Sequence, residues 1–194
     1  MFKLNEVKIR KLLISDIDIM YSWEECETFR YLCGSAQLPN YELYYKRFEN
    51  YIRYGKETLF LFAIEVNNQV IGRVELGRVD YTNKSGAVGI VIGKENDRNS
   101  GYGTKALMLI LNYAFNELNL NRVFSEVYCF NIASQNLMER VGFFLEGTMR
   151  QNEYHFGKYT DMFLFSILSN EYNSRYENII NDIVYENNNL TNSR

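Results

Sequence analysis

The period of the apolar residues changes several times along the chain, and each change marks an element. Val and Ile dominate Ala87 to Gly93, a short run with glycines at its end that reads as a buried strand. Lys94 to Ser100 is polar. Beyond it Leu107, Ile110, Leu111, Ala114, Phe115 and Leu118 recur at helical spacing and predict a long amphipathic helix. Upstream, Phe2 to Arg10 alternates about Val7 and Ile9 and predicts a first strand. Ser15-Asp16 predicts a helix start, either residue serving as cap, with Ile17, Met20, Tyr21 and Trp23 on a helix reaching Cys26. Phe29 to Asn40, containing Gly34 and the single proline, Pro39, reads as irregular. Leu43, Tyr44, Arg47, Phe48, Tyr51 and Ile52 then predict a second helix from Tyr41 to Tyr54.

Leu59 to Val66 is nearly continuously apolar, Asn67-Asn68-Gln69 supplies a tight turn, and Val70 to Val79 alternates, so the two runs pair as a hairpin. The polar turn Asp80 to Ser85 returns the chain to the Ala87 strand as a meander. Asn119-Leu120-Asn121 stops the long helix. Arg122 to Phe130 is another strand, parallel to Ala87–Gly93 if the helix is a crossover. Asn131 to Val141 predicts a helix with Leu137, Met138 and Val141 inward, and Gly142-Phe143 closes it. Two strands follow, Phe144 to Glu153 and Lys158 to Leu168, joined around Tyr154-His155-Phe156-Gly157. Asn170 to Glu186 predicts a final helix and Asn187 to Arg194 a flexible tail. With no repeat and no linker, the pattern predicts one α+β domain with a mixed sheet flanked by helices, over 1–172, and a C-terminal helix and tail over 173–194.

Composition adds limits rather than an activity. At 194 residues the chain suits one domain with an ample core, and its 16 tyrosines and 13 phenylalanines make that core aromatic. A net charge of -3 disfavours nucleic acid as a partner and is compatible with a cationic small substrate. Glu24, Glu25, Glu27, Glu42 and Glu49 on the tyrosine-rich helices form either a cation-holding surface or a solvated helix face. Cys26, Cys33 and Cys129 match no zinc spacing, and with no signal peptide or long apolar run they point to the cytoplasm rather than a membrane. The single histidine, His155, speaks against a Ser-His-Asp triad or a His-based metal site and is most simply a surface or packing residue.

The chemistry begins at Arg98-Asn99-Ser100-Gly101-Tyr102-Gly103-Thr104. A glycine-rich turn opening a helix offers unpaired backbone N–H groups at the positive end of the helix dipole, which is an anion site suited to phosphate. The bland alternative is a glycine-capped helix start with no ligand.

Three motifs in order carry a resemblance. Arg98-x-x-Gly101-x-Gly103 after a Val/Ile strand resembles the acetyl-coenzyme A loop of the GNAT superfamily of N-acetyltransferases. Asn131-x-x-Ser134 with Gly142-Phe143 matches that superfamily's second signature. Tyr154-x-x-Gly157-Lys158-Tyr159-x-Asp161 is similar to the branch holding spermidine and ribosomal-protein N-terminal acetyltransferases. The resemblance implies a GNAT-like sheet with a splayed parallel pair, and acetyl transfer from acetyl-CoA to a primary amine. The expected acceptor is a polyamine such as spermidine or another small amine. A protein N-terminus or an amino sugar is the alternative acceptor, and a coenzyme A-binding module without catalysis the alternative role. It also implies a homo-oligomer, a dimer or larger. The pyrophosphate would rest on the amides of Asn99, Ser100, Gly101, Tyr102 and Gly103, with Arg98 adding charge and Thr104 completing the turn. Val91, Ile92 and Gly93 would offer a strand edge to the pantetheine arm, contacted from the far side by Asn131 and Ser134.

The implied mechanism is direct attack of an amine on the thioester. A primary ammonium titrates near about 10, so a base must take its proton. Glu75 on the second meander strand is the preferred base, with a solvent-facing strand carboxylate as its bland reading, and Glu126 is the second candidate. A backbone N–H near Ile92 or Gly93 would stabilise the oxyanion. Spermidine acetyltransferases place a tyrosine before Gly-Phe to protonate the thiolate, but Met138 stands there, so either water or another group acts, Tyr128, Ser134 and Tyr154 being the substitutes, or the thiolate leaves unprotonated. Asp161 and the tyrosine-rich helices would shape the acceptor side.

Overall fold

A computed structural model describes residues 1–180 and 183–185. The first alternating stretch is two strands rather than one. β1 (Phe2–Leu4) and β2 (Val7–Lys11) turn at Asn5, whose φ of 53° is the left-handed conformation asparagine tolerates, and pair Phe2 with Ile9 and Leu4 with Val7. A short 3-10 turn, Ile14–Asp16, precedes α1 (Ile17–Glu24). Asp16 does not cap α1 with its side chain. Its carboxylate reaches back instead, accepting from the Leu13 N–H at 2.7 Å and from Arg10 Nη1 and Nη2 at 2.7 and 2.9 Å. The region read as irregular contains α2 (Glu27–Cys33), ended by Gly34 at φ 81°. α3 (Tyr41–Tyr54) has the predicted bounds because Asn40 Oδ1 accepts the Leu43 N–H at 3.1 Å.

β3 (Phe60–Val66) and β4 (Gln69–Asp80) form the expected hairpin, its turn made by Asn67 and Asn68 at φ 50° and 63°. β5 (Ser85–Ile92) follows as the next antiparallel strand. α4 (Tyr102–Asn112) continues into a π-helical turn, Tyr113–Glu117, so the predicted helix is one rod with a widened last turn. β6 (Arg122–Tyr128) stops two residues before Phe130. α5 (Ile132–Val141) leads to β7 (Phe144–His155) and β8 (Lys158–Leu168). The final helix, α6 (Ser169–Ile180), ends well before Glu186, and Val184–Tyr185 pairs antiparallel with β1 as β9 instead of extending it. The predicted tail, 187–194, lies outside the described residues.

The nine described strands make one mixed sheet, β7-β8-β6-β5-β4-β3-β2-β1-β9. Strand alternation divides its two faces. Phe62 and Ile64 of β3 meet α4, where Leu107, Leu109, Ile110 and Leu111 are fully buried, while Leu61 and Ala63 meet Ile17, Met20, Trp23, Phe29 and Phe48 of α1–α3. α6 is pinned to the first layer by two buried phenols: Tyr172 Oη donates to the Met108 carbonyl at 2.8 Å and Tyr176 Oη to the Val141 carbonyl at 2.9 Å. No helix among the described residues is long and apolar enough to cross a membrane.

Candidate active site

The one parallel contact in the sheet is short. β5 and β6 pair only through Ser85–Arg122, Gly86–Val123 and Ala87–Phe124, and from Val88 onward they diverge. The fork opens a cleft of about 620 Å³ whose walls include Val91, Ile92, Arg98, Asn99, Gly101, Gly103 and Thr104 on one side and Tyr128, Asn131 and Ser134 on the other. The predicted cofactor-binding residues are thus largely gathered in one place. Three are not part of the walls. Gly93 is pressed against the Trp23 indole, where a Cβ would stand under 3.0 Å away; Ser100 Oγ donates to the Arg98 carbonyl at 3.4 Å; and Tyr102 packs against the core.

The loop geometry explains its glycines separately. Gly101 has φ 80° with open space around it, so the left-handed conformation requires it, whereas Gly103 has ordinary backbone and a Cβ on it would meet a Leu137 methyl at 3.4 Å, where α4 packs close to α5. The first helical bond runs from the Lys105 N–H to the Gly101 carbonyl at 3.2 Å. The amides of Tyr102, Gly103 and Thr104 therefore precede any intrahelical acceptor and sit at the positive helix end. Arg98 folds back, its Nε and Nη2 each 3.4 Å from the carbonyls of Ile92 and Gly93. Across the cleft Asn131 caps α5, accepting the Ser134 N–H at 3.1 Å.

Of the two oxyanion donors considered, Gly93 is excluded because its N–H is already given to the Ile71 carbonyl at 2.8 Å. Alternation along β5 turns the Ile92 N–H the other way, toward the cleft.

Glu75 stands on β4 directly opposite Gly89, and the missing side chain there leaves it space: a Cβ on Gly89 would lie 3.2 Å from Glu75 Oε1. Its side chain is 42% exposed, and its nearest cation, Arg73 Nε, is 4.0 Å away. Glu126 also lines the cleft but is clamped by both Arg78 nitrogens, Nη1 at 3.1 Å and Nη2 at 2.8 Å. Glu75 is the freer carboxylate. A second cavity, about 690 Å³, opens beside the first between α3 and the β3–β4 hairpin and shares Arg73 and Glu75 with it.

Tyr128 is 9% exposed, and its hydroxyl donates to Glu153 of β7. Burial, then the Glu153 carboxylate, push the phenol well above its usual range, so it stays protonated. Its ring lies in a stack with Phe130 and His155 at centroid distances of 4.9 and 4.7 Å. Glu153 also lines the cleft, and sequence reasoning passed over it. Its partner is 25 residues away, and a strand glutamate carries no local signal. The irregularity in β7 between Met149 and Glu153 brings it to Tyr128. Asp161 does not reach the acceptor side: Oδ1 accepts the Gln151 N–H at 2.8 Å and so fastens that irregularity. Tyr154 is no substitute acid either, being 67% exposed against Tyr159 and outside the cleft. Met138 is buried at the cleft floor, and His155 is a packing residue whose basicity burial lowers.

The acidic helix pair also resolves. Glu42 bonds Lys46 at 2.7 Å and Glu49 bonds Arg53 at 2.8 Å along α3, while Glu24 is buried near Arg73, Arg30 and Arg47. Glu42, Glu49 and Glu24 do not form a cation-holding face. No group of three His, Cys, Asp or Glu residues among the described ones is placed to hold a metal.

A sheet forked at its one parallel pair, with an anion-seeking helix terminus at the mouth, is the framework of an acyl-group transferase. Residues 6–144 match the family model of the acetyltransferase (GNAT) domain, and the chain belongs to that family. It is an N-acetyltransferase of the GNAT type. An uncharacterized N-acetyltransferase, p20, of Bacillus licheniformis is 25% identical over 167 residues, 84% of this chain and 93% of the relative. The spermidine N(1)-acetyltransferase of Vibrio cholerae is 30% identical over 118 residues, 60% of this chain and 67% of the relative. The fold is shared with the crystal structure of spermidine N-acetyltransferase from Vibrio cholerae in complex with CoA and spermine, at a TM-score of 0.79 and 21% identity, covering 86% of this chain and 98% of that one.

Proposed function

We propose that this protein transfers the acetyl group of acetyl-CoA to a primary amine that approaches from the α1–α3 side of the fork. The observation that carries the reading is the convergence, in one cleft, of an unpaired strand edge, an anion-binding helix start and the loosely held carboxylate of Glu75. The pyrophosphate rests on the loop amides beside Arg98, and the pantetheine arm runs along Val91 and Ile92 with Asn131 and Ser134 opposite. Acetyl-CoA supplies the thioester. Glu75 takes the ammonium proton, directly or through water. The nitrogen lone pair then forms the amide as the C–S bond breaks, and the Ile92 N–H steadies the oxygen in between. Tyr128, protonated and backed by Glu153, is the cleft's phenol for returning a proton to the thiolate; Ser134 is the other hydroxyl within the walls.

The named relatives support a polyamine such as spermidine as acceptor. The cavity beside Glu75 supports an amine of lower positive charge, since Arg47, Lys56 and Arg73 line it. The exposed Phe144 and Leu145 of edge strand β7 favour a homo-oligomer, and three free thiols favour a reducing, cytoplasmic setting.

Thiol release from acetyl-CoA across a panel of amines tests the reading. Acceleration by at least one amine is expected; acetyl-CoA binding without any acceleration would leave a coenzyme A-binding module. Glu75→Gln is expected to lower turnover by about 100-fold or more and to alter the pH profile. An unchanged profile would make Glu75 structural.

A further inference from the structure

Where β4 meets α3, a guanidinium from each element is arranged around one ring. Arg73 and Arg47 lie over Phe48 with their Cζ atoms 5.3 and 5.5 Å from the ring centroid, and Phe48 itself is buried. Both arginines line the 690 Å³ cavity together with Lys56, and Glu75 is the only carboxylate in its lining. Arg73 also faces the main cleft, so its guanidinium sits at the passage between the two spaces. The side chain is only 19% exposed, yet its ion pair to Glu75 is 4.0 Å long, beyond hydrogen-bond reach. The other nearby carboxylate, Glu24, forms no ion pair within 4.0 Å with either arginine, although Arg73 and Arg47 act on it across the longer distance, opposing the burial that pushes its carboxyl up. A largely desolvated guanidinium without a bonded carboxylate is half of a recognition site, because its fork of parallel N–H groups matches a planar anion.

The spacing specifies the anion. Glu75 and Arg73 point the same way from β4 with 4.0 Å between their charged atoms, so an acceptor that places its amine at Glu75 brings its nearest substituents to Arg73. In an α-amino acid a single carbon separates the amine from the carboxylate, which suits the pair. A polyamine would instead bring further ammonium groups to a wall of Arg47, Lys56 and Arg73.

Resting on the acetyltransferase reading, we infer that the acceptor is an amine bearing a carboxylate, an α-amino acid, whose amine is presented to Glu75 while Arg73, assisted by Arg47, binds its carboxylate. Arg73 is then a specificity-determining residue. Transfer forms the N-acetyl amino acid and free thiol, the amine proton leaving through Glu75.

The test uses the full chain loaded with coenzyme A. The α-amino acids and the amines obtained by removing their carboxylates (leucine against 3-methylbutylamine, phenylalanine against 2-phenylethylamine) are titrated by calorimetry, with spermidine alongside. At least one amino acid is expected to bind about tenfold or more tightly than its decarboxylated partner and than spermidine. That ratio is expected to fall toward one in Arg73→Met and to be intermediate in Arg73→Lys, which keeps the charge and loses the fork. Arg73→Lys also serves if Arg73→Met fails to fold. Decarboxylated amines or spermidine binding as tightly as every amino acid, or a ratio that survives both substitutions, would overturn the inference. Thiol release with the same compounds separates the two readings. Arg73-dependent amino acid binding without release from any amine would keep the anion site and remove the transfer. Release without carboxylate preference would keep the transfer and remove the anion site.

Discussion

Replacing Gly93 by alanine tests whether the end of β5 is set by the packing of α1. A Cβ at this position would stand under 3.0 Å from three atoms of the Trp23 indole, Cε2, Cδ2 and Nε1. Carbon atoms in contact prefer roughly 3.5–4.0 Å, so the overlap is large. The indole has no room to retreat: Trp23 is 4% exposed and packs beside Phe29 at 6.3 Å between ring centroids. Overpacking of this kind costs about 1–3 kcal/mol. In a domain of this size that lowers the thermal midpoint by about 2–12 °C, at roughly 2–4 °C per kcal/mol. Displacement of α1 would also carry α2, whose Phe29, Leu32 and Cys33 line the cleft, so KM for the amine should rise more than KM for acetyl-CoA. Thermal and urea unfolding followed by circular dichroism read the first effect, and steady-state thiol release the second. Gly103→Ala is the control. Its Cβ would meet only side-chain methyls of Leu137 and Ile90 at 3.4–3.9 Å, ordinary contact distances, and its stability should stay within about 1 kcal/mol of wild type. If Gly93→Ala matches wild type in both midpoint and KM, Trp23 does not fix the end of β5 and the packing argument is wrong.

Gly103→Glu should preserve the fold but weaken acetyl-CoA binding by about 100-fold or more, since it sets a carboxylate among the amides proposed to hold the pyrophosphate; unaltered binding in calorimetry would move the phosphate site elsewhere. Tyr172→Phe should cost about 1–2 kcal/mol in urea unfolding, because the Met108 carbonyl loses its buried donor, and a neutral result would mean that this bond contributes nothing net. Glu65 should make stability fall in acid. Burial pushes its carboxyl up, but bonds from Lys8 and Arg10 outweigh this and hold it below 4.5. A depressed folded value stabilises the protein at neutral pH, and that contribution disappears as pH drops through it. Glu65→Gln should therefore show a shallower loss of stability below pH 4.5, and identical acid limbs would refute the linkage.

Much of the fold was legible because its signals were local. The spacing of Leu43, Tyr44, Arg47 and Phe48 announced α3, and Asn67-Asn68-Gln69 announced a tight turn, each within a few residues. The loop Arg98 to Thr104 was equally self-contained. α2 was missed because a seven-residue helix that buries only Phe29 displays no period, and the β1–β2 turn because a left-handed Asn5 leaves no mark on an alternating pattern. At the site, Glu75 could be placed at the fork from strand order alone. Glu153 and Arg73 could not, since one depends on an irregularity in β7 and the other on α3 folding Phe48 and Arg47 over a distant strand.

The fork between β5 and β6 has a cost that concerns association rather than catalysis. From Val88 to Ile92 the free protein holds a strand border inside its own sheet, with backbone groups arrayed to receive another extended chain. Most proteins cover or blunt such borders at their periphery. At the far end of this border the guanidinium of Arg98 leans on the carbonyls of Ile92 and Gly93. The same guanidinium therefore occupies, in the free protein, two carbonyls at the end of the border that an incoming extended chain would need.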